Sequence, residues 1–301
     1  MVHTPIKKMV LGAALFVASA TSQALNIFAC EAEWAALAKE IAPDASIYAA
    51  TSALQDPHHV QARPSLIAQF RRADLAICSG AELEVGWLPM LQMKANNRDL
   101  RTGQPGMFFA AEAVETLDKL ERVDRSMGDV HAAGNPHFHL SPSRVELVAK
   151  ELAKRLGEVD EENRASYQQN LSDFLTRWST ATQRWEARAD VLNGNKYIAY
   201  HSSFRYLFDW LSLEQVGDLE PQPGLPPTPA HLASLIELSR NENVTAIVYT
   251  GYQDSRGAQW LSERTDVKES QLAYTASEAH PSLFDVYESL IDELMRLHDD
   301  K

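Results

Sequence analysis

The sequence predicts an α/β protein of two lobes, each a parallel sheet flanked by helices, joined by one long rigid helix. Three observations carry that reading. Apolar strand-like runs alternate with amphipathic stretches twice over, the signature of βα units around a parallel sheet. Between the two alternations, Asp160 to Ala189 contains neither Pro nor Gly and repeats its apolar residues at helical spacing. The length of 301 residues suits about two domains. The boundaries that follow are a leader at 1–24, a first lobe at 25–159, the linking helix at 160–192 and a second lobe at 193–301.

The leader comes first. Lys7 and Lys8 precede a short apolar run from Met9 to Ala20, and Ser22-Gln23-Ala24 puts small residues where signal peptidase reads. That is an export signal, with cleavage expected after Ala24. No Cys follows the cleavage point, so the expectation is a free periplasmic protein rather than a lipid-anchored one. Leu25–Ala29 then reads as a buried strand, followed by a helix with apolar Trp34, Leu37, Ala38 and Ile41. Ala45–Ala49 is a second strand, Pro64–Arg72 a helix and Ala73–Cys78 a third strand. Val145, Val148, Leu152 and Leu156 recur at helical spacing behind Ser143-x-x-Glu146, which reads as a capping box. The long helix carries Tyr167, Leu171, Phe174, Leu175, Trp178 and Trp185 as its apolar stripe, and Asn193-Gly194-Asn195 ends it. A second alternation follows, with strands at Lys196–Tyr200, Leu213–Val216 and Val244–Tyr249 and helices at His231–Asn241 and Leu283–His298. Pro221 to Pro229 reads as a rigid, extended connector.

The two cysteines, Cys30 and Cys78, each end an apolar run. If those strands are parallel neighbours, both side chains emerge at one edge of the sheet, and an oxidising compartment lets them pair. Two buried free thiols are the other reading, because the geometry decides.

Composition narrows the function classes. With 28 basic and 41 acidic residues the net charge is −13, which argues against a binder of the nucleic-acid backbone. Beyond the leader no apolar run approaches the roughly 20 residues needed to cross a bilayer. The residues with chemistry to offer are the 10 histidines. His58 and His59 follow Asp56-Pro57, His137 and His139 follow Asn135-Pro136, and His201 follows the strand Lys196–Tyr200. All three settings lie beside strand or helix ends, where α/β folds place ligands. Imidazole is the commonest metal ligand, and a preceding Pro restricts the backbone that presents it. No His pair has the i, i+4 spacing of a helix-borne zinc protease.

These motifs resemble those of the metal-binding solute-binding proteins of bacterial ABC transporters, the cluster A-I family that delivers zinc or manganese. Asp56-Pro57-His58 with Pro64-Ser65 looks like that family's first ligand element. The stretch Gly134-Asn135-Pro136-His137-Phe138-His139-Leu140-Ser141-Pro142 is similar to the second, with Asn135 and Ser141 where the family carries Asp. His201 with Phe204 and Tyr206 looks like the third, and Glu220-Pro221 with Gly224 to Pro229 and His231-Leu232 resembles the segment that follows. The resemblance implies a metal site in the cleft between the lobes, with His58, His137 and His201 as ligands. Many relatives add an aspartate near the C-terminus, but Leu272 to His280 contains none. Glu278 is the first choice for the fourth ligand, with a water or His280 as alternatives. The long His-rich loop of zinc relatives is also missing, which leaves His131, His139 and His59 for auxiliary metal capture.

The function implied is periplasmic zinc binding and delivery of Zn²⁺ to an ABC transporter permease, by a monomer and without enzymatic activity. A periplasmic zinc chaperone is a further candidate partner. Imidazole at the third position favours Zn²⁺ over Mn²⁺, while Cu²⁺ remains chemically competent. The alternatives are an exported zinc hydrolase with Glu278 as general base, a manganese- or copper-binding relative, and an adhesin.

Overall fold

A computed structural model describes residues 24–123 and 127–300; the apolar core of the leader lies outside the described residues. The first sheet holds β1 (Asn26–Ala29), β2 (Ser46–Ala49), β3 (Leu75–Cys78) and β4 (Met107–Phe109), all parallel, in the order β2-β1-β3-β4. The second holds β5 (Lys196–Ala199), β6 (Glu214–Asp218), β7 (Ala246–Tyr249) and β8 (Glu269–Gln271), parallel and in the matching order β6-β5-β7-β8. In each sheet the strand order reverses between the first and third strands. The carboxyl ends there form the crevice in which open α/β sheets hold ligands.

Helices cover both faces. In the first lobe, α1 (Ala32–Ile41) buries Trp34, Leu37, Ala38 and Ile41, as its spacing predicts. The helix α2 runs over Pro64–Arg72, α3 over Leu88–Ala95 and α4 over Pro142–Val159. The short α3, β4 and β8 were not read from the sequence, because three to eight residues give too little periodicity to register.

The capping-box reading at Ser143 fails. The helix α4 begins one residue earlier, at Pro142, with Ser141 at the cap position, and Glu146 pairs outward with Lys150 at 2.5 Å. Pro142 supplies the helix start because its ring already holds a helical φ. A true capping box closes the start of α9 (Leu283–Asp299), between Ser282 and Asp285.

The long helix α5 spans Arg164–Ala189, with single 3₁₀ turns at Glu161–Asn163 and Asp190–Leu192. Its 26 residues extend about 39 Å. Tyr167, Leu171, Phe174, Trp178, Ala181, Trp185 and Ala189 form one buried stripe. The Trp178 indole donates to Pro142 O at 3.0 Å in the first lobe, and the Trp185 indole donates to Glu288 Oε2 at 2.8 Å on α9. One core cluster runs through that stripe from Ile27 to Leu297, so the lobes share a hydrophobic core along the helix.

The remaining helices are α6 (Arg205–Leu211), α7 (Pro229–Glu242) and α8 (Arg256–Thr265). The connector before α7 is less extended than its prolines suggest: Leu225 N donates to Gln222 O at 2.9 Å, which makes a tight turn. Gly224 permits that turn with φ +79°. Cys30 and Cys78 form a disulfide across the carboxyl ends of β1 and β3, as the parallel-neighbour reading required.

Candidate metal centre

Three loops bring His58, His137 and His201 together at the cleft, with one ring nitrogen of each within 4.8 Å of the others. Each ring is aimed by what holds its other nitrogen. After β2, Asp56 Oδ1 accepts from His58 N at 2.9 Å and lies 2.8 Å from His58 Nδ1. The Trp87 indole donates to Pro57 O at 3.0 Å and fixes the same turn. Burial pushes the Asp56 carboxyl up, but the hydrogen bonds from His58 outweigh it and hold it below the ordinary carboxylate range. An ionised Asp56 accepts the Nδ1 proton, which leaves the His58 Nε2 lone pair free.

His201, just past β5, is oriented in the same way. Its Nδ1 lies 2.8 Å from Glu220 Oε2, which also accepts from Gly224 N at 3.0 Å. His137 sits before α4, where Asn135 Oδ1 accepts from its backbone N–H at 2.9 Å. Its Nδ1 meets the Tyr274 hydroxyl at 2.7 Å. Its Nε2 is fully buried and has no partner. Burial first, and then repulsion from the His58 and His201 rings, hold the His137 imidazole well below its ordinary value. A buried, neutral, unpartnered nitrogen aimed at two others has the character of a ligand awaiting a cation.

A fourth imidazole lies beside His58, outside the cluster of three. His131, expected only as an auxiliary, places its Nε2 3.3 Å from His58 Nε2. Two nitrogens bound to one tetrahedral zinc at about 2.0–2.1 Å lie about 3.3–3.4 Å apart. The His131 ring is depressed to about 3, by burial first and then by the His58 and His201 rings. Gly134 shapes its loop at φ +98°, where a Cβ would meet Leu117 O and Thr116 Oγ1, each at 2.6 Å.

The other expected residues fall elsewhere. Glu278 is exposed, at the tip of a turn closed by Ser277 N donating to His280 O at 2.9 Å. His280 lines a separate recess beside α9. That loop turns Tyr274 and Thr275 inward instead, so the C-terminal segment steadies His137 through a hydroxyl. His139 is buried away from the cleft: its Nε2 lies 2.9 Å from Tyr274 O, and its Nδ1 faces Glu33 Oε1 at 3.2 Å. Its burial, at 1% exposed, sets it apart from the solvent-facing rim of the cleft. His59 is exposed at the rim, 3.7 Å from Asp129.

Tyr206 accounts for the rest of its motif. Its hydroxyl donates to Asn135 O at 2.7 Å and accepts from Leu117 N at 2.8 Å, which ties the His137 turn to the second lobe. Beside His58 and His201, a recess of about 300 Å³ opens between Asp56, Asp129, Glu220 and Asp254. Its acidic rim attracts cations.

Comparison with known proteins gives the family and the fold. The family model for zinc-uptake complex component A, periplasmic (ZnuA), matches residues 27–296. The metal ABC transporter substrate-binding lipoprotein ScbA of Streptococcus cristatus is 23% identical over 252 residues, covering 82% of this chain and 78% of its own. The manganese ABC transporter substrate-binding lipoprotein PsaA of Streptococcus mitis is 22% identical over 255 residues, 83% of this chain and 79% of its own. Among solved structures, a crystal structure of ZnuA superimposes with a TM-score of 0.72 at 20% identity, covering 92% of this chain and 99% of that one. The laminin-binding adhesin Lmb of Streptococcus agalactiae reaches 0.75 at 19% identity, covering 91% and 99%.

Proposed function

The chain belongs to the family of periplasmic zinc-uptake complex component A, whose members are solute-binding proteins of ABC transporters and not enzymes, and from that premise we propose that its cargo is Zn²⁺. The observation that carries the proposal is the donor set. His58, His137, His201 and His131 offer Nε2 atoms, and each of the first three has its Nδ1 held by a carboxylate or hydroxyl. A neutral, all-nitrogen set of four suits tetrahedral zinc, whereas manganese prefers carboxylate and water oxygens. Proteins named for manganese are among the relatives, so the metal is the point to test.

In this reading the acidic rim concentrates the cation and the three oriented rings bind it. His131, carried on a loop, closes the shell in the place expected for Glu278. Release to a membrane permease begins with the ligand held least firmly, which is His131. The protein works after export, as a periplasmic monomer that passes its ion to that permease. Competition titration of the purified protein against a chelator, with zinc and manganese in parallel, tests the proposal. Zinc should bind one to one and more tightly than manganese by several orders of magnitude, and equal affinities would overturn it.

A further inference from the structure

The tightest cluster of chemistry outside the centre sits at the strand-order reversal of the first sheet. Cys30 and Cys78 meet there from adjacent strands with Cα atoms 4.7 Å apart, and neither is exposed. A carboxylate oxygen of Glu84 lies within 4.8 Å of both sulfurs. Glu84 is 2% exposed, as is Glu31 beside it. Gly80 N donates to the Glu84 carboxylate, with contacts of 3.1 and 3.2 Å. Glu31 Oε2 accepts from Ser79 N and Ser79 Oγ, each at 3.1 Å, and the Glu31 and Glu84 carboxyls hydrogen-bond to each other.

The turn that delivers Glu84 passes through Gly80, Ala81 and Glu82, all at positive φ, a conformation costly for the two that are not glycine. Burial, before any other cause, raises the Glu31 carboxyl well above its ordinary value and pushes Glu84 up to about 7. A disulfide needs no acceptor. Two buried carboxyls packed beside it cost stability that apolar residues would not. Their placement makes sense if the sulfurs are sometimes thiolates with a cation between them.

We propose that reduction of Cys30–Cys78 converts this cluster into a second, redox-gated metal site for a borderline or soft divalent cation, with both thiolates and Glu84 as ligands and Glu31 as the fourth. A dithiol supplies the two electrons: the Cys30–Cys78 bond breaks, the dithiol closes to its own disulfide, and its two hydrogens leave both cysteines as thiols. Cation binding then replaces two S–H bonds with metal–sulfur bonds and releases those two protons, together with the proton that the Glu31–Glu84 carboxyl pair holds. Two sulfurs and two oxygens suit zinc, and thiolate selects zinc over manganese. A recess of about 610 Å³, lined by Gly80, Glu84, Leu88 and Phe109 among others, opens beside Glu84 and reaches the cluster from that side.

Cobalt(II) titration of the whole mature protein tests this independently of the histidine centre. The protein is reduced with dithiothreitol, freed of it under anaerobic conditions, and compared with the oxidised form. The oxidised form should show no near-ultraviolet thiolate-to-cobalt charge-transfer band. The reduced form should take one additional equivalent with that band, and should do so equally in the His137→Ala/His201→Ala background. Cys78→Ser should abolish the band and Glu84→Gln should weaken the second site at least tenfold. Should Glu84→Gln fail to fold, zinc protection of the two wild-type thiols from alkylation gives the same reading. Two free thiols in a folded protein with no charge-transfer band, a disulfide that resists dithiothreitol in the native state, or loss of the fold on reduction would each overturn the proposal.

Discussion

Which nitrogen of a histidine is already occupied decides what the residue does here. His137 and His139 lie two positions apart behind one proline, yet His139 is held in the interior with its Nε2 on Tyr274 O, while His137 joins the cluster with His58 and His201 and keeps Nε2 free. Zinc-finger sites gain about 10–16 kcal/mol from four ligands, so one ligand is worth roughly 3 kcal/mol, or about a hundredfold in affinity. His137→Ala and His201→Ala should each lose about that much in a chelator competition, and His59→Ala should lose less than about threefold. Tyr274→Phe removes only the hydroxyl that aims His137 and should cost about 10–100-fold; unchanged affinity would remove Tyr274 from the centre. His131→Ala separates the four-nitrogen reading from a water-completed one, since only the former predicts a loss comparable to His201→Ala.

The buried carboxyls make a pH prediction of definite sign. Glu84 is raised in the folded state to about 7 from an ordinary value near 4.5. The folded protein therefore binds more protons than the unfolded chain between those values, and this group's contribution to stability is lost as pH rises through that window. Histidines held low, such as His137, slope the other way below about 6.5. The difference between wild type and Glu84→Gln reads the Glu31–Glu84 pair apart from the histidines. The variant should gain stability relative to wild type as pH rises from 5 to 8, read as denaturant midpoints, and a constant difference would refute it.

At the scale of elements, the longest signals in the sequence were the most legible. The stripe from Tyr167 to Trp185 predicted α5 because it repeats over about five turns, and α2 came out at Pro64–Arg72 as read because proline marks its start. The three histidines that cluster in the cleft were legible through their local motifs. What holds those ligands was not, since Tyr274 reaches His137 across 137 positions and Thr275 reaches Glu33 across 242. No local pattern carries a contact of that span. The missing aspartate in Leu272 to His280 pointed the sequence reading to Glu278, which is exposed, whereas His131, on the loop before Gly134, lies beside His58. That loop gives a prediction of its own. Gly134→Ala has no room for its Cβ and a strained φ, so it should displace His131 and weaken zinc binding by about tenfold or more. Full affinity for this variant would show that the loop geometry is not needed.

At the scale of the molecule, the question is how an ion leaves a site built between two lobes. A hinge needs the lobes to be separable, and several features oppose that. One core cluster threads both lobes along α5. Trp178 and Trp185 pin the same helix to opposite lobes. Tyr206 and Tyr287 each donate across the molecule to backbone carbonyls flanking His137, and α5 has no Pro or Gly at which to kink. Opening the cleft widely would break these buried hydrogen bonds together. Moving the His131 loop disturbs far less, because Asp129 N on Pro223 O at 2.9 Å and Ala133 N on Glu82 Oε2 at 3.3 Å both lie near the surface. Zinc loading should therefore stabilise the fold by linkage, about 4 kcal/mol at a thousandfold excess over the dissociation constant, with little change in overall dimensions. Small-angle scattering should give apo and zinc-bound radii of gyration within about 1 Å of each other, while hydrogen exchange should slow on zinc binding mainly in residues 127–134. A marked compaction without local protection there would show that the lobes close as rigid bodies and that the loop is a bystander.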